Sequence, residues 1–285
     1  MLEAHIRMAL DSLSNGEFSD LTIEQRWIDE AVESFREALT AQLTNTRPDE
    51  FRLRMSNVGR PTCQLQMEAS GAEKARKPYH FIMSMMFGDA IEAITELVLK
   101  IAKANITGGK NQVELHVEDT VIKGTDDIEI DGKVYDIKSS SPWAYQYKWS
   151  KGYDALKDND SFGYVSQLFG YAEAQNKAAG GWIVVNKSTG ELSVVEVDAS
   201  PHEPKIVMSA IANTVRKIKM NEPFERCFEP EIDTWRNKPT GLKRLQKECE
   251  FCSYLGSCWP DAKYQAHPNS TAKSPKHYWF VQEDD

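Results

Sequence analysis

The chain has 285 residues, of which 43 are acidic and 34 basic, so it carries a formal charge of −9; it is 41% hydrophobic and 10% aromatic. That composition is globular and excludes collagen, coiled coil and intrinsic disorder, and the length suits one large domain or two smaller ones. At face value the acidic balance argues against a sequence-blind nucleic-acid binder, which brings lysine and arginine to the phosphates.

Taken in chain order, the first residues include Glu3 and Asp11 and lack an uninterrupted apolar stretch, so they do not read as a secretory signal. The densest apolar run, Phe81 to Phe87, is far shorter than the roughly 20 residues a membrane helix requires. A soluble cytoplasmic protein with no membrane partner is expected. Ile23, Trp27, Ala31, Phe35 and Leu39 recur at spacings near four and predict helix within residues 1–50. Arg52, Arg54 and Arg60 lie in an expected loop that ends at Cys63. A second helix is predicted from Tyr79 to Ala104, with Ile91, Ile94, Val98 and Ile101 on one face and Glu92, Glu96 and Lys100 on another.

Beyond that helix the period changes to two. Val113, Leu115 and Val117 alternate with polar residues, and two further runs flank Asp131-Gly132, which is a hairpin signature. Residues 161–179 return to helix, 181–198 hold two strands about a turn at Ser188 to Gly190, and 204–219 form another helix. The alternation predicts a mixed α/β core.

Five cysteines are present, an odd number with no secretory context, which makes a disulfide framework unsuitable. Cys249, Cys252 and Cys258 form a C-x2-C-x5-C cluster, and a two-residue gap lets two thiolates turn toward one metal centre. A fourth sulfur would have to be Cys63 or Cys227. Spacing alone does not separate zinc from iron–sulfur.

Asp127 is followed, across the expected hairpin, by Asp136-Ile137-Lys138. The hairpin returns the ends of this segment to one another, and strand alternation puts Asp136 and Lys138 on one side with Ile137 on the other. Two carboxylates beside a lysine are the equipment of a divalent-metal hydrolase: the acids hold a hard cation and the ammonium stabilises developing negative charge.

GTDD followed by YDIK resembles the G-x-x-D … D/E-x-K core of the PD-(D/E)XK nuclease superfamily. Gln167-Leu168-Phe169-Gly170-Tyr171 is similar to the Q-x3-Y helix motif of its RecB-like branch, and the cysteines resemble those of its iron–sulfur members, the CRISPR-associated exonucleases and AddB-type nucleases. Order along the chain agrees from Cys63 to Trp259. The resemblance implies a restriction-endonuclease-like α/β core, a mixed central sheet flanked by helices, with a helical N-terminal region and a C-terminal iron–sulfur segment. It implies Asp127, Asp136 and the carbonyl of Ile137 as ligands to Mg2+ or Mn2+, with Lys138 as the catalytic lysine. Glu92, four residues after Gly88, stands where relatives often have a histidine metal ligand. Gln167 and Tyr171 would contact the substrate strand, and Cys63, Cys249, Cys252 and Cys258 would hold a [4Fe–4S] cluster, leaving Cys227 spare. In that frame Asp126 competes with Asp127, and the G-x-x-D spacing favours Asp127.

These readings together describe a metal-dependent deoxyribonuclease, an exonuclease of recombination, repair or phage DNA metabolism. Its substrate would be single-stranded DNA or duplex ends, gripped by Trp143, Tyr145, Tyr147 and Trp149 after the catalytic strand. No G-x4-GK[ST] signature is present, so a helicase or recombinase partner would be another chain; self-association is compatible with the same reading. The alternative is a zinc- or iron–sulfur-stabilised nucleic-acid-binding module without catalysis, or an assembly protein. The expected divisions are a helical region at 1–60, the nuclease core at 61–204, a helix and cluster segment at 205–262, and a polar tail at 263–285. Charge is not evenly spread: residues 205–247 hold ten basic and five acidic side chains, so the overall acidity does not exclude DNA. A DNA-binding face confined to that segment predicts that affinity falls steeply between low and physiological salt, measurable by fluorescence anisotropy.

Overall fold

The computed structural model describes residues 1–19, 21–44 and 50–282, and the acidic Glu283-Asp284-Asp285 end lies outside them. In chain order the elements are α1 (Leu2–Asn15), α2 (Gln25–Thr44), α3 (Thr62–Ala69), α4 (His80–Ile101), β1 (Ile106–Gly108), β2 (Gln112–Val117), β3 (Thr120–Thr125), β4 (Ile128–Ile130) and β5 (Lys133–Ser140). There follow α5 (Pro142–Tyr147), a 3-10 turn at Trp149–Lys151, α6 (Tyr153–Asp158), α7 (Tyr164–Ala174), β6 (Ala178–Asn186), β7 (Leu192–Glu196) and α8 (Glu203–Lys219). The chain ends with β8 (Glu231–Trp235), β9 (Lys238–Arg244), α9 (Lys247–Glu250), α10 (Leu255–Cys258), β10 (Lys263–Ala266) and β11 (His277–Gln282). No helix among the described residues is long and apolar enough to cross a membrane.

The chain divides into two units, one of residues 1–59 and 79–215 and the other of 60–78 and 216–285. This differs from the division expected from sequence, because the segment around Cys63 belongs with the C-terminal part. Where a polar tail is expected, β10 and β11 pair with each other and β11 pairs with β9.

The first unit is built on a mixed sheet ordered β1-β4-β5-β6-β7, with β5 at its centre. The β4–β5 hairpin turns at Asp131 (φ 51°) and Gly132 (φ 73°), both left-handed, the conformation a two-residue turn needs to match strand twist. β5 and β6 pair in parallel, which forces the crossover through α5 to α7. Alternation assigns the two faces. Ile130, Tyr135, Ile137 and Ile183 pack with Ile6 and Leu99 from α1 and α4. Val134, Trp182, Val184 and Val195 pack with Leu168, Phe169 and Tyr171 of α7 and with Ile211 and Val215 of α8. With both faces covered, β5 and β6 are buried along most of their length. β2 shows the alternation anticipated for a half-buried strand and pairs only with β3.

The second unit has a four-stranded antiparallel sheet ordered β10-β11-β9-β8. Its core gathers Leu245, Cys249, Leu255 and Val281, with Phe228, Trp259 and Trp279 against them. Leu168 is fully buried between α7 and the first unit's sheet. Leu168→Ala is expected to cost about 2–5 kcal/mol of unfolding free energy in urea titrations.

Candidate active site

Three segments of the first unit bring carboxylates together. The β3–β4 connection carries two aspartates with different fates. Asp126, 1% exposed, accepts hydrogen bonds from the backbone N–H of Asn111 at 2.5 Å and from Gln175 at 3.1 Å, so its oxygens tie the connection to its surroundings. Asp127 uses Oδ2 to accept the backbone N–H of Ile137 at 2.8 Å, which places it directly across the hairpin from β5.

Asp136 and Lys138 share one face of β5. Asp136 is 2% exposed; its Oδ1 accepts a hydrogen bond from Lys138 Nζ at 2.8 Å. Oδ2 lies 2.7 Å from the same Nζ, so the ammonium faces both oxygens of the buried carboxylate. Burial, reinforced by the negative charges of Asp127 and Glu92 and opposed by Lys138, pushes the Asp136 carboxyl up to about 7. Burial works against the charge of Lys138, but Asp136 and Asp127 more than offset it, and its pKa is raised.

Glu92 projects from α4 and is held by an ion pair with Lys110, which also reaches Glu96 at 2.8 Å. Burial and the nearby Asp127 raise the Glu92 carboxyl, with Lys110 opposing. Lys110 and Glu96 are the functional neighbours that sequence reasoning missed. Glu96 looked like part of an exposed stripe with Lys100, whereas Lys100 pairs with Glu30 of α2 at 2.5 Å. Gly109 and Lys110 both have positive φ, a left-handed bend before β2 that the residue spacing does not announce.

α7 supplies the other predicted pair. Gln167 lies one turn from Tyr171 and favours its ionised form, and the buried Tyr171 phenol feels the charges of Asp127, Asp136 and Lys138. Burial is the largest cause that pushes it up to about 12. Gly124, the glycine of the G-x-x-D segment, makes room here. A Cβ at that position would lie 2.7 Å from the Tyr171 hydroxyl and from the Met55 side chain. Of the four aromatics after β5, Trp149 is 3% exposed and Tyr145 packs against the core, so both serve the fold; Trp143 and Tyr147 are each 56% exposed.

The site thus gathers four carboxylates, Glu92, Glu96, Asp127 and Asp136, against two ammonium groups, Lys110 and Lys138. Fully ionised it would carry two uncompensated negative charges, and the raised carboxyls of Asp136 and Glu92 are its response: it takes up protons. Among the described residues no set of three or more His, Cys, Asp or Glu side chains is arranged to hold a metal ion as it stands. The donor chemistry nevertheless suits a hard divalent cation: oxygen ligands and an excess negative charge of two.

All five cysteines belong to the second unit. Cys63, expected at the end of a loop, sits in the first turn of α3. Cys227, expected to be spare, is its neighbour: the backbone N–H of Cys63 donates to Cys227 Sγ at 3.0 Å. A hydrogen bond from the Cys63 thiol, with help from Lys217, brings Cys227 down to about 7, while Cys63 is raised. Burial, with Cys258 and Cys252 adding to it, pushes Cys249 up to about 12. Cys252 and Cys258 are raised by burial, opposed by Arg60 and Lys74 at the former and by Arg226 at the latter. Arg226 also lies 3.7 Å over the Trp259 ring and donates to the Cys258 carbonyl at 2.9 Å. Several pairs of these thiols sense one another, Cys63 with Cys227 and Cys258, Cys249 with Cys252 and Cys258, and Cys252 with Cys227.

No family model and no curated protein matches the chain. One solved structure, described as "Crystal structure of SSO0001", aligns over 84% of this chain and 98% of its own at 15% identity with a TM-score of 0.40. No assignment rests on so distant a likeness.

Two titrations follow from the geometry. Because the folded pKa of Asp136 lies above its unfolded value of about 4, the folded state holds an extra proton between about pH 4 and about 7. Through Asp136 the metal-free protein loses stability as pH rises across that window. Carbon-13 NMR of labelled aspartate is expected to show a carboxyl titrating near neutrality, absent in Asp136→Asn. In the metal-free chain Cys227 is expected to alkylate ahead of the other four thiols at neutral pH, as read by mass spectrometry.

Proposed function

We propose that the protein is a divalent-metal-dependent DNA nuclease of the PD-(D/E)XK kind, stabilised by a thiolate-bound iron–sulfur cluster. The observation that carries this reading is the buried Asp136–Lys138 pair at the centre of an over-acidic site. An unpaired excess of carboxylate is costly in a protein interior unless a cation compensates it. Glu92, Asp127, Asp136 and the Ile137 carbonyl would hold Mg2+ or Mn2+. When bound, such an ion supplies a more acidic water and neutralises phosphate charge.

The chain's own residues account for the remaining work. Asp127, fixed by the Ile137 N–H, orients the carboxylate set across the hairpin. Lys138, kept charged by its acidic neighbours, stabilises the negative charge that develops on phosphate oxygens during in-line attack. Lys110 fixes Glu92 and Glu96 against mutual repulsion. The resemblance gives Gln167 the substrate strand, while the buried Tyr171 phenol, packed beside Gly124 and within reach of the Asp127, Asp136 and Lys138 charges, acts from behind the carboxylates. In the second unit the resemblance favours Cys63, Cys249, Cys252 and Cys258 as cluster ligands, and the small apolar core there gives a bound cluster a structural task. The bond between the Cys63 amide and Cys227 supports Cys227 as a group that shapes that site rather than a bystander.

Wild-type protein with Mn2+ is expected to degrade DNA, and Lys138→Ala and Asp136→Ala are each expected to lower the rate by about 100-fold or more while the visible iron–sulfur absorbance persists. Metal binding must displace the Asp136 proton, so apparent Mn2+ affinity is expected to weaken by up to about tenfold per pH unit below 7, measured by calorimetry. Intact, cluster-containing protein that binds DNA but leaves it uncut in both metals would return the binding-module reading.

A further inference from the structure

Outside the carboxylate site, the first unit holds an aromatic and cationic group that no motif marks. Phe162 lies in the segment between α6 and α7 and is 55% exposed, on a segment that is firmly built. Asp160 clamps the segment with both carboxylate oxygens, accepting the backbone N–H groups of Tyr164 at 2.9 Å and Val165 at 2.8 Å. Gly163, at φ 78°, packs its backbone directly on Gly59; a Cβ on it would sit 2.3 Å from the Gly59 carbonyl carbon. The ring of Phe162 therefore stands on a fixed base.

Its inner face is stacked on Tyr164, centroids 5.6 Å apart and planes 19° from parallel. Tyr164 in turn leans on the buried Trp149 at 5.2 Å, and its centroid is 5.6 Å from Lys138 Nζ. Two successive steps of 5.6 Å thus lead from the lysine of the carboxylate site to an exposed aromatic ring. Lys148 completes the group, with Nζ 5.2 Å from the Tyr164 centroid and 5.8 Å from that of Phe162, and hydrogen-bonded to the Asn159 carbonyl at 2.7 Å.

We infer that Phe162, backed by Tyr164, is the stacking platform for an unpaired base next to the phosphate held at Lys138, with Lys148 meeting the backbone of the same strand. The assignment rests on the nuclease reading for the position of that phosphate. It follows from chemistry: every nucleobase offers a π face, an exposed ring attended by a cation takes such a face without regard to sequence, and a paired base has its faces already occupied. Phe162 is then a positioning residue that selects unpaired strand.

The test compares an oligothymidylate with a chain of the same length whose sugars are all abasic, using wild-type protein, Phe162→Ala and Phe162→Trp. Binding is read by fluorescence anisotropy at low salt and cleavage by gel in Mn2+. Stacking of one base is worth about 1–3 kcal/mol, so Phe162→Ala is expected to weaken binding and raise KM for oligothymidylate by roughly 5- to 150-fold, with kcat little changed. On the abasic chain it should change neither, and Phe162→Trp should restore the wild-type values. An equal loss on both substrates, or no loss on either, overturns the platform while leaving the nuclease reading intact where cleavage persists. Base-dependent loss of binding in a protein that cuts nothing retains the platform and overturns the nuclease reading; absence of both binding and cleavage overturns both.

Discussion

A carboxylate that is 2% exposed on the central strand of a sheet has to be compensated, and the first unit is organised around doing so for Asp136. Lys138 supplies one charge from two residues along the same face. Asp127 is pulled toward the pair by the Ile137 N–H, and Glu92 approaches on α4 with Lys110 as escort. Each addition tightens the electrostatic problem, because three further carboxylates are brought up against only two ammonium groups. The strand register and the two-residue turn set Asp127 beside β5, and the α7 phenol lies within reach of the same charges. A structure that only needed stability would have placed apolar residues there, which pack at no desolvation cost. The persistence of unresolved charge is the physical basis for assigning the site a task.

Much of this was legible in the chain itself. The Asp131-Gly132 turn, the period-two runs and the placing of Asp127 opposite β5 follow from backbone rules that act over a few residues. α4 was readable from its long stripe, as was the proximity of Gln167 and Tyr171 on one helix face. Lys110 was not, because its role depends on a left-handed bend that swings it back onto α4, and neither spacing nor residue type announces such a contact. The aromatics after β5 show the same limit: four in alternation look alike in sequence, yet packing sends Trp149 inward and leaves Trp143 and Tyr147 outside.

The cysteines illustrate a subtler case. Their spacing pointed to convergence, and the second unit does collect all five. What spacing left open was the status of Cys227, which sits alone in sequence and is joined to Cys63 only through the start of α3. Arg60, Lys74, Lys217 and Arg226 come from four different places in the chain to face the thiols. The local surplus of basic residues therefore does not belong wholly to any outside ligand; part of it is spent on sulfur.

The backbone contact between Gly59 and Gly163 has a meaning beyond rigidity. Two positions far apart in the chain share one volume too small for a single methyl group, and neither can gain one unless the other gives way, although the other has nothing left to give. A side chain at either position therefore requires the contact itself to open. The segment that carries Phe162 is accordingly free to vary at its exposed tip and fixed at its root, the arrangement under which a binding surface can change preference without disturbing the fold beneath it.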